Sequence, residues 1–249
     1  MQGLIMQLKA TGSISFTTVK PGQLSIIASH LDTRPMSYLD GNQRLGYEPA
    51  VARAVCEKLG LKPVWSNFAI DDFYQELAKG DYDVVWFSQA VTQERRAWAD
   101  FTRPYGRFDE AVLVLEDSPI TTAQDLNGKR LGGLRDLSYV ELSQQLPDME
   151  LVPFNNDDGH LTAMLAALKQ GDIDAIISDA LMLMSAEAQD PAFRVAFQLP
   201  TQMPFGIGVL PGNRELLEAL NSALNTLIAE GTLGKLWAQW IPYKQCPFN

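Results

Sequence analysis

Two stretches far apart in the chain are built to one pattern: AKGDYDVVWFS (78–88) and KQGDIDAIISD (169–179). Each runs from a helix end through a glycine and an Asp-x-Asp pair into an apolar strand. Gly80 and Gly171 stop their helices. Eight residues beyond each glycine stands a polar residue, Ser88 in the first copy and Asp179 in the second. Repetition of helix, turn and buried strand predicts two similar α/β units. In open α/β sheets, ligands bind beyond the carboxyl ends of the strands. Two such tips facing each other make a cleft between units, the usual place for a small-molecule site.

The remaining elements fit this layout. QLSIIAS (23–29) reads as a buried strand, Asp40-Gly41 as a hairpin turn, and EPAVARAVCEKLGL as a helix with Val51, Val55 and Leu59 on one stripe and Gly60 behind it. A strand (62–66), a helix (71–79) and a strand (83–88) follow. With 249 residues, two domains are at least as natural as one. Two extended stretches, RFDEAVLVLEDSP (107–119) and LPTQMPFGIGVLPGN (199–213), carry the chain between units. The helix of 214–231, with Leu217, Leu220, Leu224, Leu227 and Ile228 as its stripe, packs back on the first unit. The predicted partition is therefore a discontinuous first lobe, 1–107 plus 206–249, and a second lobe, 108–205. A two-strand crossing is a natural hinge.

A net charge of −10 argues against non-specific nucleic-acid binding, which needs a basic face. No apolar run approaches the ~18 residues of a membrane span. GLIM, near the start, is too short for a signal-peptide core, which leaves a cytoplasmic protein or one whose leader is not in this chain. Cys56 and Cys246 could pair only if the C-terminal tail folds back on the first unit; otherwise they are a buried thiol and a tail thiol.

Candidate site residues cluster after the first strand tip. In QAVTQERRAW (89–98), Thr92 reads as an N-cap and places Arg95 and Arg96 in a first helical turn, where the dipole disfavours cations. Arg96 has Asp100 at i+4 as an ion-pair partner. Arg95 has none, and a ligand carboxylate would take both its bidentate fork and the free N–H groups of the turn. Asp179 ends its strand at a partly desolvated position and needs either a ligand cation or a hydrogen bond from the following turn. Ser138-x-x-Glu141 reads as a capping box. Catalytic constellations are thin: Ser29, His30 and Asp32 are too crowded to count as a triad, and neither His30 nor His160 has a metal-ligand spacing. No cofactor or metal is expected.

VKPGQLSIIAS, LGYEPAVARAVCEKLGL, ELAKGDYDVVWFSQAVTQERRAWADFTRPY, DLNGKRLGGL, ALKQGDIDAIISD and FGIGVLPGNRELLEALNSALNTLIAEGTLGKLWAQW together resemble the extracellular solute-binding proteins of family 3, the polar amino-acid receptors of ABC importers. The likeness runs in order from about residue 19 to 241 and is most specific at T-x-E-R-R followed by D-F-T-x-P-Y. It implies an α/β, two-lobed periplasmic-binding-protein-like (type II) fold with a hinge and an interdomain cleft. It also implies a monomer outside the cytoplasm that hands its ligand to an importer permease. In the family, the position of Arg95 forks the ligand α-carboxylate, groups around Ser88 and Ala90 assist, and the position of Asp179 takes the α-ammonium.

Several wall positions depart from the family. His30 stands where an acidic residue or Ser/Thr is common, Thr33 where an aromatic is, and Met36 where Phe is, while Ile70 lies near an aromatic or Leu position. The Gly-Thr pair at the second-lobe helix start reads Asp136-Leu137-Ser138, so Asp136 would repel a carboxylate unless it turns away to cap the helix. Glu48-Pro49-Ala50 replaces the usual Asp-x-Asp. The leading expectation is a non-enzymatic receptor for an amino-acid-like solute. The alternatives are a sensor domain of the same fold, or an enzyme resembling cyclohexadienyl or arogenate dehydratases with Asp136, Glu48 or His30 as proton donor.

Overall fold

The computed structural model describes residues 16–134, 146–155 and 159–248. Two five-stranded sheets dominate these residues. The first contains β1 (Gln23–Ala28), β4 (Lys62–Asn67), β5 (Val84–Val85), β6 (Asp100–Phe101) and β12 (Gly208–Val209), in the order β4-β1-β5-β12-β6. The second contains β7 (Gly106–Leu115), β8 (Arg130–Leu134), β9 (Glu150–Phe154), β10 (Ala175–Asp179) and β11 (Phe193–Phe205), in the order β11-β7-β10-β8-β9. β2 (Tyr38–Asp40) and β3 (Gln43–Leu45) form the expected hairpin, with Gly41 at φ 57° in its turn.

Among the described residues, helices cover both faces of the first sheet and one face of the second, and the central strands are apolar on both sides. On one face of the first sheet, Leu24 and Ile26 pack with α1 (Tyr47–Leu59), α5 (Arg214–Ala229) and α6 (Thr232–Trp240); on the other, Ile27 and Val85 pack with α2 (Phe73–Ala78). In the second sheet, Ile176 packs with α3 (His160–Gln170) and α4 (Ala180–Gln189), while Ile177 joins a separate cluster around Val112, Leu126 and Leu131. The α5 seam runs through Leu216, Leu220, Ala223, Leu224 and Leu227. Leu217 and Ile228, expected on the stripe, sit at its flank, because the 3.6-residue period centres the face one residue earlier.

The repeated sequence pattern has a structural meaning. Gly80 and Gly171 both take the left-handed conformation, at φ 78° and 77°. The second aspartate of each pair then ties down the edge of the neighbouring strand. Asp83 accepts from the Ser25 N–H at 2.7 Å and the Val19 N–H at 2.8 Å. Asp174 accepts from the Arg130 N–H at 2.8 Å and also pairs with the Arg130 guanidinium at 3.0 Å. Asp83 is 3 % exposed, so Asp83→Ala strands the buried Ser25 N–H. The expected cost is about 2 kcal/mol, measured as a lower urea midpoint with an unchanged slope.

Local details differ from the sequence reading. Only Val84 and Val85 of 83–88 are strand, because Ser88 turns the chain at φ 46°. The helix expected after Thr92 is a single 3₁₀ turn, Arg95–Ala97, and β6 follows at once. That turn is too short to carry a useful dipole. The Arg96–Asp100 ion pair does not form, since the i,i+4 spacing is no longer helical; Asp100 instead accepts from the Gly212 N–H at 3.1 Å. Cys56 and Cys246 are both free thiols packed on the first core, and burial pushes Cys56 up to about 12.

β7 and β11, the two strands that leave and re-enter the first sheet's neighbourhood, pair antiparallel with each other from Phe193↔Leu115 to Phe205↔Gly106. The ladder is interrupted between Leu199 and Met203, where Gln202 takes φ 52°. Gln202 donates from its N–H and its side-chain amide to Asp109 Oδ1 at 2.9 and 3.0 Å. Lys244, from the C-terminal tail, donates to Asp109 Oδ2 at 3.0 Å and to Gln198 at 3.1 Å.

Candidate functional site

The loop from Ser88 to Arg95 is built on the end of β5. Its backbone is stitched to the last residues of β11: Ala90 bridges Phe205, the Val91 N–H donates to the Pro204 carbonyl at 2.9 Å, and the Gly206 N–H donates to the Gln89 carbonyl at 3.1 Å. Thr92 Oγ1 accepts from the Arg95 N–H at 3.2 Å, and Arg95 Nη1 donates to the Ala90 carbonyl at 3.1 Å. That contact uses one of five guanidinium donors. Arg95 is half-buried, Arg96 is exposed, and Arg95 is the arginine that the loop organises.

Gln89 supports the loop from inside. It donates to the Phe87 carbonyl at 2.6 Å and accepts from the Tyr74 hydroxyl at 2.7 Å. Ser88 is held by Glu48, whose Oε1 accepts from the Ser88 N–H at 2.7 Å and whose Oε2 accepts from the Ser88 hydroxyl at 3.2 Å. Tyr105 Oη also donates to Glu48 Oε1, and Tyr47 Oη donates to the Tyr105 carbonyl at 2.7 Å. Burial pushes the Glu48 carboxyl up to about 7, against the opposing hydrogen bonds from Tyr105 and Ser88 and the charge of Arg44.

Asp179 stands at the tip of β10 and caps α4, accepting at Oδ1 from the N–H groups of Leu181 at 2.7 Å and Met182 at 3.2 Å. The hydrogen bond to the following turn is thus present, and the second carboxylate oxygen is left for other partners. Glu110 on β7 lies directly across from Asp179 in register. Its Oε2 is buried and has no hydrogen-bond partner among the described residues. Burial, with the charges of Asp179 and Asp109, pushes Glu110 up to about 8, and burial raises Asp179 to about 6. The Gly106 end of β7 meets Phe205 and hence the Ala90 loop; Glu110 and Asp179 sit four residues along, roughly 14 Å at about 3.4 Å per residue.

The other expected wall residues are spread more widely. His30 is exposed after β1, and Ile70 packs partly against the α2 cluster. Met36 is 3 % exposed and sits inside the first core, because the loop carrying it folds onto the start of α1. There, the carbonyls of Pro35 and Met36 accept from the Tyr47 and Glu48 N–H groups, both at 3.0 Å. A Cβ on Gly46 would lie 2.4 Å from the Met36 carbonyl oxygen. Asp136 and Ser138 lie outside the described residues, as does the Ser138–Glu141 capping pattern.

Sequence reasoning missed Arg44. It is buried and holds the 29–37 loop by donating to the Ser29 carbonyl at 2.7 Å and to Ser37 Oγ at 2.9 Å. It also missed Glu110, whose meaning depends on strand register. A cavity of about 610 Å³ brings Asp32 and Arg34 of that loop together with α3 and α4 side chains such as Lys169, Met182 and Ser185, so the loop faces the second unit. Among the described residues, no group of three His, Cys, Asp or Glu side chains could hold a metal ion, and no helix is long and apolar enough to cross a membrane.

Comparison with known proteins gives a consistent result. The family described as "Bacterial extracellular solute-binding proteins, family 3" matches residues 26–243. The ABC transporter arginine-binding protein 1 of Escherichia coli (strain K12) is 31 % identical over 209 residues, 81 % of this chain and 83 % of that protein. Among solved structures, an ancestral arginine-binding protein bound to glutamine superimposes with a TM-score of 0.73 at 27 % identity, covering 89 % of this chain and 98 % of that one. An ancestral amino acid-binding protein, described as a precursor of cyclohexadienyl dehydratase, gives a TM-score of 0.75 at 25 % identity, covering 88 % and 96 %.

Proposed function

Because the chain belongs to the bacterial extracellular solute-binding proteins of family 3, with the two-lobed type II fold, we propose that it captures an L-α-amino acid between Arg95 and Asp179. The lobes are residues 1–107 with 206–249, and residues 108–205. It serves amino-acid uptake by an ABC importer and works as a monomer outside the cytoplasm, passing its ligand to the importer's permease. The observation that carries the ligand reading is the pair of half-sites of opposite charge on the two sides of the paired β7–β11 strands. Arg95 keeps donors free for a carboxylate, and the Ser88 and Ala90 segment lies beside it. Asp179 keeps an oxygen for an ammonium, and His30 and Ile70 border the first wall. Asp136 and Ser138 are the proposed second-lobe contacts.

Glu110 beside Asp179 is a second carboxyl, held mostly protonated near neutrality by burial, and a ligand carrying an additional positive charge would be favoured there by drawing it into its ionised form. Relatives named for arginine point to the same class. The proposed role is binding without turnover: Glu48 is enclosed by Tyr105 and Ser88 and does not stand open as a proton donor.

A thermal-shift screen of the twenty amino acids tests this directly. A ligand present at one hundred times its Kd adds about 2.7 kcal/mol, roughly 5–10 °C for a chain of this size. Asp179→Asn keeps an oxygen for the α4 cap, which asparagine serves as well as aspartate. The variant should keep its unliganded Tm yet bind about 10- to 100-fold more weakly, because a charged partner is gone. If no amino acid shifts the wild type, or if the variant binds as tightly as wild type, the reading is wrong.

A further inference from the structure

Beyond α6 the chain continues as IPYKQCPF (241–248), and its anchoring is one-sided. Ile241 is fully buried in the first core, Tyr243, Cys246 and Phe248 pack against that core, and Trp237 Nε1 donates to the Lys244 carbonyl at 2.8 Å. The tail backbone therefore belongs with the first sheet. Two consecutive side chains leave it for the second unit. Tyr243 Oη donates to the Leu181 carbonyl, in the first turn of α4, at 3.1 Å. Lys244 Nζ donates to Asp109 on β7 and to Gln198 on β11.

The turn that Tyr243 reaches is itself shared between the two units. Ala180 and Leu183 of α4 pack in the core of the second sheet. Leu181, between them and fully buried, packs instead in the first core, the cluster of Tyr105 and Phe205. Asp179 caps the same turn by accepting from the Leu181 N–H. One residue thus has its side chain in the first core, its carbonyl on the tail and its N–H on the carboxylate of the second half-site. Resting on the lobe boundaries and the ligand reading given above, we propose that Tyr243 and Lys244 form an interlobe strap. They are positioning residues that hold Asp179 at its working distance from Arg95 without touching the ligand.

The Arg95 loop is stitched to residues 204–206, on the first-lobe side of the ladder interruption, whereas Asp179 lies beyond it. Were β7 and β11 the sole connection, each bend about 199–203 would change the spacing of the two half-sites. A ligand that spans both has to freeze that spacing and lose the entropy of the range. A strap that narrows the range beforehand makes the loss smaller and binding tighter. Its position keeps it from opposing closure. Gln198 adjoins the interruption and Asp109 holds Gln202 inside it, so both partners of Lys244 lie beside the bend axis, where rotation displaces atoms least. The sign follows: weakening the strap weakens binding.

Tyr243→Phe keeps the ring on the first core, drops only the hydrogen bond to Leu181 and changes no charge near Asp179. Lys244→Met drops the ion pair, while Asp109 still accepts from the Gln202 N–H and side-chain amide. Lys244→Arg keeps a cation with donors for both partners. Spin labels on unnatural residues at the exposed positions Glu57 of α1 and Gln170 of α3 spare both native thiols. Double electron–electron resonance then reads the distribution of interlobe distances, and calorimetry reads the Kd for L-arginine. Without ligand, the distribution in Tyr243→Phe and in Lys244→Met should be broader than in wild type, and saturating L-arginine should restore the wild-type width. The Kd should rise about threefold in Tyr243→Phe and about tenfold in Lys244→Met. Lys244→Arg should match wild type in both measurements. A wild-type width in either weakened variant overturns the proposal, which needs both residues. Broader distributions at an unchanged Kd overturn it too, as does a raised Kd at an unchanged width. A chain that binds no amino acid overturns the ligand reading, whereas the widths measured without ligand still decide whether the strap joins the lobes.

Discussion

Arg95→Ala is expected to weaken amino-acid binding by about 3 kcal/mol, on the order of a hundredfold, while shifting the unliganded Tm by no more than about 2 °C. The asymmetry comes from how little the fold uses the side chain. Arg95 is half-buried and its guanidinium makes one hydrogen bond, to the Ala90 carbonyl. The loop itself is held by backbone bonds to β11 and by Thr92 Oγ1, none of which the substitution touches. What is lost, on the proposed reading of the site, is the cation that meets the ligand carboxylate in a closed cleft, which would leave that carboxylate desolvated and unpaired. Arg95→Lys should recover the charge but not the planar fork, and so rescue binding only in part. Calorimetric titration with the best ligand of the screen, beside a melting curve, decides it. Equal affinity in Arg95→Ala and wild type would remove Arg95 from the site.

A second large effect concerns stability. Gly106→Ala should cost about 3 kcal/mol, or roughly 6–12 °C in Tm. A Cβ at Gly106 would stand 1.8 Å from the far edge of the Phe205 ring, its cross-strand partner. A flexible side chain could step aside, but Phe205 is fully buried. Tyr105 packs edge-on to it at 4.9 Å and Phe108 stacks on it at 5.8 Å. The clash therefore passes into β7 and β11 themselves. Phe205→Leu removes the offending edge, so the double variant should be less impaired than Gly106→Ala, a coupling that a double-mutant cycle measures directly. Additive losses would show that the steric account is mistaken. Gly106 requires space rather than a left-handed backbone, which separates it from Gly46, where both are needed.

The two α/β units were legible in the sequence because their signals are local. Gly80 and Gly171 stop helices through their own φ, and runs such as Ala175-Ile176-Ile177, which closes on Ser178 and Asp179, read as buried strand. The Asp-x-Asp repeat was visible too, although its purpose was not. Asp83 and Asp174 act on strand residues 58 and 44 positions earlier, Ser25 and Arg130. Glu110 was missed for the same reason: its importance lies in being opposite Asp179, and register is a property of two strands together. The loop after Ser88 misled in another way. Its pattern of Thr92 followed by charged and apolar residues suits a helix, yet bonds to residues 204–206 draw the chain into β6 after a single turn. Met36 was read as a wall residue from the Phe that the family has at its position, whereas the fold of its loop onto Gly46 decides where it goes.

The pairing of β7 with β11 bears on the kind of motion the molecule allows itself. Two separate tethers would let one lobe slide or roll against the other in several directions. Two strands hydrogen-bonded to each other, with Asp109 gripping both Gln202 and the tail residue Lys244, resist sliding, since any slip breaks the ladder and that grip at once. Bending and twisting of the ribbon about the interruption at 199–203 cost far less. Opening and closing are thereby channelled toward one rotational coordinate. The Ala90–Val91 segment rides on the β11 end of that ribbon, so the loop proposed to bind the ligand carboxylate turns with the axle rather than at the rim.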